Sequence, residues 1–381
     1  MHATPSTPDP LAHARSPRQI VLCVGPGGVG KTTTAATLAL AAAARGRRVL
    51  VVTIDPSRRL AQALGFESGS ARPGDELVVD SPELRGGGGS LHALLLDGRV
   101  VFDRLVRAYA PSPAAARAIL DNPIYQATTE GLGGALEYAA IAQLQLLHAE
   151  GRYDLIVLDT PPTANALDFL AAPERIHELV QNPAIRLLTG GGKLGGKLLG
   201  IGNGLVLRTL STIGGGDFLQ DLGAFLRDFA EVLEAYRSRA GDFQALLTSP
   251  VTGVILTTVA SPFSVREALR FLGVMRERAL RLDGVVLNRI MPPSPPLPAA
   301  ALLRPALAAQ LPGEAVEPAL LALADAYAGL RAEGEQSLAA AQTIAEAYPD
   351  LPIWALPRRE PPPTGLLELH ELGRLFVAMR A

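Results

Sequence analysis

Residues 25–32 read Gly25-Pro26-Gly27-Gly28-Val29-Gly30-Lys31-Thr32, followed by Thr33, and they match the pattern G-x-x-x-x-G-K-[ST]. The flanks give the pattern its meaning. A short apolar run, Ile20–Val24, precedes it and reads as a strand; an alanine-rich stretch, Lys31–Ala44, follows and reads as a helix. A strand that turns through glycines into a helix can curl its backbone N–H groups around an anion without a Cβ in the way, and the helix N-terminus adds a positive dipole end. Lys31 suits the β- and γ-phosphates of a nucleotide, and the Thr32 hydroxyl suits Mg²⁺, a hard cation that takes oxygen ligands. Gly25, Gly27, Gly28, Val29, Gly30, Lys31, Thr32 and Thr33 are therefore the candidate phosphate-binding residues.

Working outward, further apolar runs end at turn or polar residues: Val49–Ile54, Leu155–Leu158, Gly253–Thr257, Gly284–Leu287 and Ile353–Leu356. They are apolar at successive positions, as strands covered on both faces should be. Helical patterns such as Lys31–Ala44 and Ser264–Arg281 separate them. This alternation predicts an α/β fold, a doubly wound and mostly parallel sheet forming a P-loop NTPase core. Two stretches interrupt it, 98–150 and 174–247, and both read as helical insertions that together form a subdomain. The expected organisation is a flexible N-terminus over 1–17 and one P-loop domain, carrying that subdomain, over 18–381.

Two aspartates stand at strand ends. Asp159 closes Leu155–Leu158 and is followed by Thr160-Pro161-Pro162-Thr163. At the carboxyl edge of the sheet it can hold Mg²⁺ through water, beside Thr32. Asp55, after Val51-Val52-Thr53-Ile54, stands at the same edge and can direct water for in-line attack on a γ-phosphate. An Asp-Pro turn at Asp55-Pro56 accounts for the same residues without chemistry.

Composition excludes other classes. The chain has 381 residues, 35 basic and 37 acidic, for a formal charge of −2, which argues against a general nucleic-acid surface. Its single cysteine, Cys23, can neither form an internal disulfide nor build a thiolate cluster, so no zinc is expected. Residues 1–19 lack the apolar core of a secretory signal, and the most apolar stretch, 187–213, is broken by Lys193, Lys197 and Arg208 and by many glycines. A cytoplasmic location is expected. Lys31, Lys193 and Lys197 are the only lysines in the sequence.

The loop Gly27-Gly28-Val29-Gly30-Lys31-Thr32-Thr33, the segment Asp55-Pro56 and the segment Asp159-Thr160-Pro161-Pro162-Thr163, in this order, resemble the ArsA/Get3 family of arsenical-pump and tail-anchored-protein-targeting ATPases. The resemblance implies ATP and Mg²⁺ as ligands and a homodimer or a heterodimer with a paralogue. It implies Asp55 as the residue that activates water, in a switch segment that includes Arg58 and Arg59. It also implies Asp159–Thr163 as a second switch that senses the γ-phosphate, and Asn288 and Pro357 as adenine contacts.

The sequence departs from that family in three places. The family's loop carries a lysine after its first glycine, which reaches the partner's phosphates; Pro26 stands there, and Arg58 or Arg59 is the candidate for the missing trans charge. The metalloid-binding cysteines are missing, as is the Cys-x-x-Cys pair that would follow Asn288. The glycine- and leucine-rich stretch 187–213 suits either a mobile apolar flap over a hydrophobic client, with at most peripheral membrane contact, or a loop packed on the subdomain. Phe218, Leu222, Phe225, Phe229, Val232 and Tyr236 mark an amphipathic helix that most simply packs as core. The expected function is an ATPase coupling nucleotide state to a helical subdomain that handles hydrophobic or membrane-protein segments. The alternatives are a subunit of an anion or metalloid transport system and a slow nucleotide switch acting through a protein partner.

Overall fold

The structure, a computed structural model, describes residues 18–54, 59–64, 66, 74–84, 87–123, 125–126, 136–160, 229, 231–232, 240–292 and 294–379. Residues 1–17, Asp55, Arg58, Pro161, Pro162, Thr163, the stretch 187–213 and most of 218–236 lie outside the described residues.

The described elements, in chain order, are β1 (Ile20–Val24), α1 (Lys31–Ala44), β2 (Arg48–Thr53), α2 (Arg59–Ala63), β3 (Glu76–Val79) and β4 (Ser90–Leu95). Next come α3 (Gly98–Tyr109), α4 (Pro113–Leu120), α5 (Leu136–Glu150), β5 (Leu155–Asp159), α6 (Ala240–Thr248), β6 (Thr252–Val259) and α7 (Pro262–Glu277). The chain ends with β7 (Leu282–Ile290), α8 (Ala300–Ala308), α9 (Gly313–Ala347), β8 (Ile353–Pro357), α10 (Leu366–Gly373) and β9 (Val377–Met379).

The nine strands form one sheet in the order β3-β4-β2-β5-β1-β6-β7-β8-β9. The seven inner strands are mutually parallel, and only the edge strands β3 and β9 pair antiparallel. This is the expected doubly wound α/β architecture. All six expected strands are present, each longer or equal in extent. β3, β4 and β9 were not expected: β3 and β9 are short, and β4 contains His92 and starts directly after Gly86-Gly87-Gly88-Gly89.

The alternation of the strands sorts their side chains into two cores. Ile20, Leu22, Leu50, Val52, Ile156, Leu158, Val254, Leu256, Val285 and Leu287 face one way and pack with residues of α3, α5, α6, α7 and α9. Val21, Cys23, Val49, Val51, Val157, Ile255, Val286 and Trp354 face the other way and pack against α1 and α10. Both faces are covered, so the strands are apolar throughout. α1 fits tightly because Ala35, Ala36, Ala39, Ala42 and Ala43 are buried and small. Ser112 caps α4, and Ser261 caps α7, by accepting from backbone amides at 3.1 and 3.2 Å. A separate small cluster joins Val106, Ala116, Ile119 and Tyr125 to Val232, with Phe229 against it. Residues of both interrupting stretches therefore meet there. Among the described residues no helix is long and apolar enough to cross a membrane.

Two outcomes test this packing. A Cβ on Gly284 would lie 2.2 Å from the ring of the fully buried Trp354 and 2.9 Å from the Pro352 carbonyl oxygen. Gly284→Ala should therefore destabilise the protein by roughly 1–3 kcal/mol in denaturant unfolding. Cys23 lies inside β1, where burial pushes its thiol far above the ordinary range; the Asp159 carboxylate adds to that shift and Lys31 opposes it. Because the thiolate is the reactive form, Cys23 should not react with a disulfide reagent at pH 8 in the native protein. One equivalent should react after denaturation in guanidinium.

Candidate functional site

The loop 25–30 leaves β1 at the carboxyl edge of the sheet, where β1 has neighbours on both sides. Ligands of open α/β sheets bind at such an edge. The loop is fixed by close approach. Gly25 has φ +152°, and a Cβ there would stand 2.0 Å from the carbonyl oxygen of Thr257 on β6. Gly30 has φ +94°, and a Cβ there would stand 2.2 Å from Nδ2 of Asn288 on β7. Only glycine fits at either position. Gly30 is also the N-cap of α1, whose first turn has neither a side-chain cap nor an acidic residue. Its leading N–H groups are left for an external acceptor.

Asp159 ends β5, and in the parallel ladders it stands level with Cys23 of β1 and Thr53 of β2. Its carboxylate is almost wholly buried. Thr32 Oγ1 donates to Asp159 Oδ2 at 2.7 Å, and Thr53 Oγ1 donates to the same oxygen at 3.0 Å. Thr160 Oγ1 donates to the Cys23 carbonyl at 2.8 Å and holds the end of β5 against β1. Lys31 Nζ donates to the carbonyl of Pro26 at 2.9 Å, so its side chain folds back over the loop. Asn288 Nδ2 donates to the Val29 carbonyl at 2.8 Å, and Asn288 Oδ1 accepts from the Arg289 amide at 2.9 Å. An amide has two N–H donors and two acceptor lone pairs; here one donor braces the loop and one acceptor holds the Arg289 amide, so half of the capacity is used.

Two adjoining cavities open above the loop. One of about 300 Å³ is lined by Gly28, Lys31, Thr32, Gln62 and Thr160, among others. The other, of about 750 Å³, is lined by Asn288, Pro357, Arg358, Glu360 and Leu372, among others. Thr33, Arg289 and Pro363 line both. The sequence-predicted residues thus divide. The loop, Lys31, Thr32, Asp159 and Thr160 come together at one end, and Asn288 and Pro357 share the other. Arg59 begins α2, with only its backbone described. Thr53, Gln62, Arg289, Pro363 and Thr364 were not singled out from the sequence. Thr53 carried a signal, as the polar end of an apolar strand; Pro361-Pro362-Pro363 carried another, as a rigid turn after β8.

The residues fit a magnesium nucleotide. The loop is a cradle with no room for a Cβ, the first turn of α1 offers uncapped amides, and a hydroxyl and a buried carboxylate meet beneath it. Among the described residues no cluster of three or more His, Cys, Asp or Glu stands ready for a metal. Magnesium bound with nucleotide takes its remaining ligands from phosphates and water, so one or two protein oxygens suffice.

Comparison with known proteins agrees with this geometry. The profile of the family described as "Anion-transporting ATPase" matches residues 18–298. The chain is 28% identical over 284 residues to Protein Rv2184c of Mycobacterium tuberculosis, covering 72% of this chain and 59% of that protein. It is 35% identical over 165 residues to the uncharacterized protein SCO2128 of Streptomyces coelicolor, covering 42% of this chain and 38% of that one. To the ATPase GET3 of Malassezia globosa it is 25% identical over 276 residues, covering 72% and 73%. The chain thus spans less than two thirds of the length of the first two relatives, 59% and 38%. Cradle, buried carboxylate and family profile lead to one conclusion: the chain belongs to the anion-transporting ATPase family.

Proposed function

We propose that this chain binds and hydrolyses ATP at the carboxyl edge of its sheet and relays the state of the γ-phosphate to helices built from its two interrupting stretches. The observation that carries the reading is the convergence of Thr32 and Thr53 on one oxygen of Asp159 directly beneath the glycine loop. Loop amides and the N-terminus of α1 receive the phosphates. Lys31 exchanges the neutral Pro26 carbonyl for a charged phosphate oxygen, a stronger acceptor. Thr32, and Asp159 through water, would hold Mg²⁺, which when bound neutralises charge on the β- and γ-phosphates. Asp55 orients the attacking water and accepts its proton. Asn288 uses its uncommitted donor and acceptor on the adenine, with Pro357 against the ring.

The relay runs through Asp159 to Thr163. Thr160, bonded to the Cys23 carbonyl of β1, anchors the start of that segment. The cluster of Val106, Ile119, Tyr125 and Val232 supports a shared helical subdomain from stretches 98–150 and 174–247. Its client, on this reading, is a hydrophobic or membrane-protein segment, handled by a nucleotide-bound dimer of this chain or of this chain with a paralogue. Pro26 favours a second reading, a slow nucleotide switch, because it offers no cation to a partner site. Arg58 and Arg59 are the residues that would restore one.

Two measurements test this. Lys31→Ala should weaken ATP binding by roughly tenfold or more, whereas Asp55→Asn should bind ATP normally and lose roughly 100-fold or more in turnover. Normal turnover in Asp55→Asn removes that residue from the chemistry. Native mass analysis with non-hydrolysable ATP should show a dimer; a monomer with and without nucleotide overturns the dimeric reading. If Arg58→Ala and Arg59→Ala both hydrolyse ATP at the normal rate, neither supplies the trans charge.

A further inference from the structure

Arg289 stands out on three independent grounds. Its backbone is left-handed, with φ 54°, and among the described residues only Ala279 is another non-glycine with positive φ. A bulky side chain in that region is strained, and such strain is held only where the surroundings impose it. Here they do: the Arg289 amide donates to Asn288 Oδ1, and the β7–β8 ladder shifts register between Leu287 and Ile290. The second ground is position. Arg289 is exposed and lines both cavities, at their junction with Thr33 and Pro363.

The third ground is its state of charge pairing. The other arginines of the larger cavity are engaged, Arg358 with Glu360 at 2.6 Å and Arg359 with Glu371 at 3.1 Å. The Arg289 guanidinium has no hydrogen bond or ion pair among the described residues. A strained backbone thus carries an uncommitted cation to the point where a phosphate pocket meets a base pocket.

We propose that Arg289 clamps the α-phosphate of the bound nucleotide, gripping nucleoside diphosphate and triphosphate alike. The junction sets the target: Lys31, Thr32 and Thr160 line the smaller cavity, Asn288 and Pro357 line the larger, and Arg289 lines both. A guanidinium there can donate two parallel hydrogen bonds to a phosphate, which an ammonium cannot. The inference rests on the nucleotide reading above and adds a binding residue to it.

The test uses the full chain and equilibrium binding, with fluorescent ATP and ADP analogues displaced by ATP, ADP or adenosine. Arg289→Gly removes the cation and also relieves the positive φ. It should weaken ATP and ADP by similar factors, about tenfold each, and leave adenosine unchanged. The melting temperature of the nucleotide-free protein should hold or rise. Arg289→Lys should recover only part of the affinity. Unchanged ADP affinity in Arg289→Gly overturns the proposal. So does a loss confined to ATP, which would make Arg289 a γ-phosphate contact. A fall in melting temperature that accompanies the loss overturns it as well, because it makes the role structural. Wild-type protein that binds neither nucleotide sinks the nucleotide reading together with this one, whereas wild-type binding with an unaffected variant sinks this inference alone.

Discussion

One oxygen of one buried carboxylate organises this fold. Asp159 Oδ2 accepts from Thr32 at the start of α1 and from Thr53 at the end of β2, while its own backbone closes β5. A carboxylate taken out of water needs hydrogen bonds to offset its lost hydration, and bonds to a charged acceptor contribute about 1.5–3 kcal/mol each. Both donors depend on register. Cys23, Asp159 and Thr53 stand level across three parallel strands, and a slip of one residue would turn the carboxylate to the other face. The pairing of the central strands and the floor of the site are therefore a single constraint.

The other half of the sheet grips the loop from above and beside. Thr257 on β6 and Asn288 on β7 approach Gly25 and Gly30 so closely that a Cβ has no space at either. The loop is held between a carboxylate on one side and an amide on the other, and neither contact is local in sequence. The Asn288 side chain spans 259 positions to reach the Val29 carbonyl. A rigid cradle of this kind is preorganised: its amides face the ligand before the ligand arrives, so less ordering is left to offset binding.

The central strands and α1 were legible because their signals are local. Ile20–Val24 and Lys31–Ala44 carry unbroken apolar and alanine-rich patterns, and both were read with the limits the structure shows. The edges were less legible. Glu76–Val79 alternates, with Glu76 and Val78 exposed, Leu77 partly buried and Val79 buried, and it is held by pairing with β4 rather than by any strong preference of its own. The site divides in the same way. Lys31, Thr32 and Asp159 sit in recognisable patterns, whereas Thr53 and Arg289 acquire their places from register and from a bulge. Neither property is written in a short window of sequence. Asn288 was read as a ligand contact, and the structure adds that it is first a strut for the loop.

Pro26 changes the character of the loop as well as its charge. Its ring fixes φ and removes an N–H, so the loop loses one donor and some freedom. Its carbonyl takes the ammonium of Lys31. That bond is between a cation and a neutral acceptor, and a phosphate oxygen at the same reach is the stronger partner. The loop therefore keeps its lysine parked against its own backbone, in a chain where the sequence has only two other lysines, Lys193 and Lys197. The remaining cations around the cleft are arginines, which act through planar forks fixed in direction rather than through a freely rotating ammonium. Two of these, Arg358 and Arg359, are already tied to glutamates. Cationic contact with an anion in this cleft is thus divided between one ammonium at the loop and guanidinium groups whose aim is set by the backbone that carries them.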